Sequence, residues 1–151
     1  VADGPAKQKE LWDWRRSAGE AVKSRSVYKE EDTVVPRARL AELIRGVKAI
    51  AARHGITTLC YGHAGDGNIH VNIVKNGMDD HRWETAMPGA VEDIFRFTKT
   101  LGGTLSGEHG IGYSQKRYMP IVRTDAEMAI MRAVKTAFDP LGILNPGKIF
   151  P

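Results

Sequence analysis

Tyr61-Gly62-His63-Ala64-Gly65-Asp66-Gly67-Asn68-Ile69-His70-Val71-Asn72-Ile73 sets two short apolar arms around a glycine-rich tip, with a histidine on each arm. Asp-Gly between alternating arms signals a hairpin, because a type I′ turn needs positive φ at both central residues. With Asp66 and Gly67 in the turn, counting outward sets Gly65 against Asn68, Ala64 against Ile69 and His63 against His70. Opposed residues of an antiparallel pair lie about 4.5–5.5 Å apart at Cβ, so two imidazoles there reach one divalent ion. The two-residue period adds Tyr61 and Asn72 to that face. The stretch therefore predicts a polar, metal-capable surface one strand pair wide. Plain hydrogen-bonded strand histidines remain an alternative. Zinc-like ions usually take three or more protein ligands, so a third must come from elsewhere.

Upstream, residues from about Ala6 to Lys23 open after Pro5 and carry Leu11, Trp12, Trp14, Ala18, Ala21 and Val22 among charges, the pattern of an amphipathic helix. Arg15 and Arg16 in its middle read as a solvated face. Val27 to Val35, with Lys29 and Asp32 along it, reads as a strand ended by Pro36. Pro36 starts a helix whose stripe is Leu40, Leu43, Ile44, Val47, Ile50 and Ala51, closed by Gly55. Ile56 to Tyr61 and Ile69 to Val74 are the hairpin arms, with Cys60 a small buried strand residue. Downstream come a loop from Lys75 to Asp80, a helical pattern from about Ala90 to Leu101, a Gly102-Gly103 break and a short strand at Thr104 to Ser106. Thr124 caps a last helix, about Asp125 to Phe138, and an extended tail follows. Strands and helices in the order β-α-β-β-α-β predict an α+β domain. Its expected form is a ferredoxin-like antiparallel sheet with helices on one face, plus a C-terminal helix and tail.

Gly107-Glu108-His109-Gly110 follows the last expected strand, and four glycines between Gly103 and Gly112 permit close backbone approach. The spacing matches neither the Walker pattern nor the dinucleotide fingerprint. Glu108 is the better candidate for the missing third ligand. With His63 and His70 it makes a two-histidine, one-carboxylate set that leaves positions open for substrate or water.

The chain has 151 residues, of which 42% are hydrophobic, enough for one domain with a core. Its 22 Lys and Arg against 18 Asp and Glu give a net charge of +4, but the charges are interleaved. No basic and aromatic cluster marks a nucleic-acid face. A mild positive field suits small anionic substrates. No apolar run approaches the length of a membrane span. The start at Val1 reads as a mature or excised fragment, and a single cysteine fits a cytoplasmic setting.

Three signatures together resemble the C-terminal domain of the FAD-linked oxidases, the family of the glycolate oxidase flavin subunit, D-lactate dehydrogenases and D-2-hydroxyglutarate dehydrogenase. They are Gly62 to His70, Gly102 to Gly112, and Phe138-Asp139-Pro140-Leu141-Gly142-Ile143-Leu144-Asn145-Pro146-Gly147-Lys148. The resemblance implies that residues 1–151 are one domain, the C-terminal substrate and metal domain of a longer enzyme whose FAD-binding domain this chain lacks. It implies a divalent metal, usually zinc, on His63, His70 and Glu108, and His109 as the base for the hydroxyl proton of a 2-hydroxy acid. It also implies substrate contacts from Arg15, Lys29 and Asn72, and flavin contacts from Asn145 and Lys148. Lys29 sits one residue closer to Arg15 than in the hydroxyglutarate enzymes. Gly19 stands where those enzymes carry a threonine, which favours a small acid such as glycolate or D-lactate. The implied reaction joins metal-chelated substrate, proton removal and hydride transfer to FAD. Implied partners are the FAD-binding domain of the same polypeptide and electron-transfer subunits. The fragment alone is expected to be colourless and inactive. Two other classes remain open on the residues alone: a stand-alone hydrolase using zinc-bound water, and a non-catalytic assembly module.

Overall fold

Alternation along one central strand sorts the sheet into an apolar and a polar face, and every other element is arranged around that division. The computed structural model describes residues 2–24 and 26–151, without the side chains of Ala18 and Lys23. In order the elements are α1 (Pro5–Lys23), β1 (Tyr28–Val34), α2 (Leu40–His54), β2 (Thr57–His63), β3 (Asn68–Val74), α3 (Asp80–Thr100), α4 (Met119–Val122) and α5 (Asp125–Phe138). The sheet order is β1-β3-β2, with β3 antiparallel to both neighbours. Because α2 joins the two outer strands around β3, the unit is the split β-α-β expected from the sequence.

Ile69, Val71 and Ile73 point to the helical side, where they join Leu43, Val47 and Ile50 of α2 and Val91, Ile94 and Phe95 of α3 in the buried core. Cys60, opposite Val71, packs against that core half-buried, and burial pushes its thiol pKa up. Asn68, His70 and Asn72 point the other way and are buried as well. Gly55 closes α2 in a left-handed conformation at φ 63°, as its position predicts. Thr124 and Glu127 form the full capping box of α5.

The structure corrects four expectations. His63 opposes Asn68 and Tyr61 opposes His70, so the loop holds four residues, Ala64 to Gly67, instead of two. His63 O accepts from Asp66 N–H at 2.9 Å, and only Gly67 of the Asp-Gly pair has positive φ, 77°. Gly67 O also accepts from Val35 N–H at 3.0 Å, which ties the tip to the end of β1. A register shift of two residues preserves the face, so both histidines still share it, now as diagonal neighbours.

The expected strand at Thr104 to Ser106 is a single bridge between Thr104 and Val34 on the outer edge of β1. Beyond it the backbone N–H groups of Gly107, Glu108 and His109 turn to the Asp32 carboxylate, so the chain curls away from the sheet. Helix α3 begins ten residues earlier than expected, at Asp80, because Asp79 caps it by accepting from Arg82 N–H at 2.8 Å. It carries Pro88 internally, where a proline removes one helical hydrogen bond and blurs the periodic pattern. Finally, α1 leaves its largest apolar side chains, Leu11, Trp12 and Trp14, exposed.

Gly67 is one position where the fold leaves no space for a side chain. A Cβ there would stand 2.0 Å from Val35 O, on a backbone already at positive φ. Gly67→Ala is expected to lower stability by about 1–3 kcal/mol in urea denaturation. Gly65→Ala, with nothing within 4 Å of its Cβ, should stay within about 0.5 kcal/mol of the parent.

Candidate metal and substrate site

The polar face of β3 converges with the end of β2 and the curled loop after Thr104. His70 comes from β3, His63 from the last position of β2, and Glu108 from the loop. Glu108 Oε1 lies 3.0 Å from His70 Nε2 and 3.4 Å from His63 Nε2. One donor atom from each of the three residues falls within 4.8 Å of the others. Two ligands about 2.05 Å from a tetrahedral ion stand about 3.3 Å apart, close to the two distances that Glu108 makes with the histidines. The donor types fit too, since imidazole and carboxylate with vacant positions suit a divalent ion that also binds substrate. His70 is the deep anchor, with its side chain 6% exposed, whereas Glu108 is 49% exposed and opens to solvent.

His109 is adjacent, its Nε2 3.8 Å from Glu108 Oε1 and its ring 4.9 Å from that of His70. Tyr61 stacks on the other side of His70 at 5.4 Å, so the anchor imidazole is packed between two rings. Arg15 reaches over from α1 and donates to His63 Nδ1 at 3.2 Å, because a guanidinium has no acceptor. Arg15, Arg16, Gly19, Tyr61, Gly62 and His63 line a cleft of about 360 Å³ beside the cluster. A Cβ at position 19 would lie 3.6 Å from the Tyr61 hydroxyl oxygen, so glycine there leaves room in the cleft.

Asn72 sits on the same face, fully buried, with neither amide atom hydrogen bonded. Lys29 is not brought to the cluster. It opposes Ile73 on the apolar face and lies 2.7 Å from Glu31. Burial pushes the Glu31 carboxyl pKa up, against the pull of Lys29. Asn145 and Lys148 belong to the exposed tail, where Ile149 N–H binds Gly112 O at 2.8 Å and Lys148 Nζ stands 5.0 Å over the Tyr113 ring. The tail is thereby fastened to the loop that follows His109.

Two acidic residues of β1 complete the cluster, and sequence reasoning gave them no role in it. Asp32 opposes His70 and is buried. Its Oδ2 accepts from Ser106 Oγ at 3.0 Å and from the N–H groups of Gly107, Glu108 and His109 at 2.9, 2.8 and 2.8 Å. Asn68 donates to the other oxygen. Successive N–H groups converging on one anion form a nest, and this nest fixes the backbone that carries Glu108 and His109. Burial works to raise the Asp32 pKa, but the hydrogen bonds from His109, Glu108, Asn68 and Ser106 outweigh it and hold the carboxyl at about 2. Glu30 opposes Asn72, and its Oε1 is 2.8 Å from His70 Nδ1. The signal for both was the period of two, which puts Glu30 and Asp32 on the face of the opposing histidine.

A family model described as FAD linked oxidases, C-terminal domain, matches residues 1–149. The D-lactate dehydrogenase of Anaerostipes hadrus is 37% identical over 150 residues, which cover 99% of this chain and 32% of that protein. The glycolate oxidase subunit GlcD of Bacillus subtilis is 39% identical over 123 residues, 80% of this chain and 25% of that protein. The D-2-hydroxyglutarate dehydrogenase of Stutzerimonas stutzeri is 34% identical over 158 residues, 99% of this chain and 34% of that protein. The chain thus spans a quarter to a third of the length of these relatives.

The Asp32 nest gives the acid limb of stability a definite sign. A carboxyl lowered from 3.8 to about 2 on folding contributes stability that is fully present above the unfolded value and is lost as pH falls through the folded one. Asp32→Asn is expected to cost about 2 kcal/mol at pH 7 in urea denaturation. The difference from the parent should shrink between pH 4 and pH 2.

Proposed function

The chain belongs to the family of FAD-linked oxidase C-terminal domains, and on that premise we propose that it is the substrate- and metal-holding domain of a flavin-dependent dehydrogenase of small D-2-hydroxy acids, of the glycolate or D-lactate type. The observation that carries this reading is the approach of His63 Nε2 and His70 Nε2 to Glu108 Oε1 at 3.4 and 3.0 Å, with His109 beside them. A divalent ion on His63, His70 and Glu108, zinc by preference, would acidify the substrate hydroxyl as a Lewis acid, and FAD would accept the hydride.

The chain's own residues do the rest. With an ion held through His63 Nε2, Nδ1 would carry the imidazole proton, and Arg15, no longer able to donate there, would be free to take the substrate carboxylate. Asn72, buried with an unpaired amide, has hydrogen-bonding capacity to offer a substrate, because an unsatisfied buried polar group costs about 1–3 kcal/mol until it finds a partner. His109, half exposed beside the cluster, takes the hydroxyl proton, and imidazole is the side chain suited to that exchange near neutral pH. Gly19 presents no side chain to the cleft beside Tyr61 and so offers no contact to a longer acid, in keeping with a short one. Lys29, on the other face of the sheet and paired with Glu31, is left outside the proposed site.

Exposed Phe138, Leu141, Ile143 and Leu144 form an apolar run along the end of α5 and the tail, which suits an FAD-binding domain of the same polypeptide. Asn145 and Lys148 follow that run in the tail and are proposed to face its flavin. Electron-transfer subunits and a cytoplasmic setting complete the proposal, the latter resting on the single cysteine.

Zinc titration with atomic absorption tests it. The chain is expected to take one ion, and His63→Ala and Glu108→Ala to lose it. His109→Asn should keep the ion and, once joined to an FAD-binding domain, show kcat for the hydroxy acid lowered about 10²- to 10⁴-fold. Undiminished zinc in the first two variants, or undiminished kcat in the third, contradicts the assignment.

A further inference from the structure

His70 is held between two carboxylates. Its Nε2 is 3.0 Å from Glu108 Oε1 and its Nδ1 is 2.8 Å from Glu30 Oε1. A neutral imidazole has one N–H and one lone pair, and the partner of one nitrogen decides what the other offers. Nδ1 is sealed from solvent and makes no hydrogen bond, and Glu30 Oε1 at 2.8 Å is the carboxylate oxygen that a small turn of either side chain would bring into line with it. A bare Nδ1 would set its lone pair against those of the carboxylate. The two carboxylates are not equivalent, since the Glu30 side chain is 20% exposed and that of Glu108 is 49% exposed. Water can solvate Glu108, while Glu30 has less recourse to it. The drier carboxylate therefore has the stronger claim on the single proton.

We infer that Glu30 is a positioning residue that fixes the His70 proton on Nδ1 and so presents the Nε2 lone pair to the space shared with His63 and Glu108. The purpose of this arrangement rests on the metal reading above, but the tautomer itself does not. Glu30 is also where a competing account lies, because Glu30, His70 and His109 can themselves approach one ion within 4.8 Å. In that account Glu30 would be a ligand of a second ion. The two accounts differ in stoichiometry and in what a glutamine does at position 30. A glutamine oxygen still accepts from Nδ1–H, but it is a poor metal ligand.

The test is a long-range ¹H–¹⁵N correlation spectrum of the histidines in the metal-free chain at pH 9, with Glu30→Gln and Glu30→Ala alongside and far-ultraviolet circular dichroism to verify folding. His70 is expected to carry its proton on Nδ1 with Nε2 bare, to keep that state in Glu30→Gln, and to move the proton toward Nε2 in Glu30→Ala. A protonated Nε2 in the parent, or an unchanged His70 in Glu30→Ala, overturns the inference. Zinc titration of the same samples should show one ion per chain throughout, with affinity lowered about 10- to 100-fold in Glu30→Ala and restored in Glu30→Gln. Two ions in the parent falling to one on substitution would make Glu30 a ligand and also overturn it. A parent chain that takes no zinc yet shows the stated tautomer would sink the metal reading alone.

Discussion

A buried carboxylate governs this domain. Removing the Asp32 charge from water is costly unless donors replace the solvent, and here Ser106, three consecutive backbone N–H groups and Asn68 do so. The compensation dictates backbone shape. To deliver three N–H groups to one oxygen, residues 107–109 must curl, and the curl leaves a single bridge at Thr104 where a fourth strand was expected. The same curl carries Glu108 over the histidines and sets His109 beside them. Fold and site are therefore fixed by one interaction.

The sheet divides its labour by parity. All seven residues of β3 are buried, yet the odd positions meet α2 and α3 as an oily layer, and the even positions up to Asn72 form a polar layer of Asn68, His70 and Asn72 that Val74 ends. Burying polar groups on the second face is tolerable because neighbouring strands bring partners. Asp32 takes Asn68, and Glu30 and Glu108 flank His70. The pairing is incomplete, since Asn68 Oδ1, His70 Nδ1 and both amide atoms of Asn72 have no hydrogen-bond partner. The apolar layer holds the strand in place, and the polar layer uses that rigidity to keep donors in register.

Much of this was legible in the sequence because periodicity and signature spacing are local. The α2 stripe, the Gly55 stop, the α5 capping box and the shared face of His63 and His70 all follow from residues a few positions apart. Register did not follow, because the Gly67 to Val35 hydrogen bond that sets the four-residue loop links the hairpin tip to a distant strand end. The early start of α3 was hidden by Pro88, which a long helix absorbs at modest cost once Asp79 caps it. Glu30 and Asp32 were visible as letters, but their roles depend on which residues β3 sets opposite them. Lys29, one position out of phase with that face, shows how a single step along a strand moves a side chain to the other side of the sheet.

If two imidazoles and one carboxylate from separate elements hold a common ion, X-ray absorption at the zinc edge of the metal-loaded chain will read out those donors. The account predicts a first shell of nitrogen and oxygen at about 2.0–2.2 Å with the outer scattering of two imidazole rings. A sulfur shell at about 2.3 Å, which only Cys60 or a methionine could supply, or an all-oxygen shell without imidazole scattering, would contradict it.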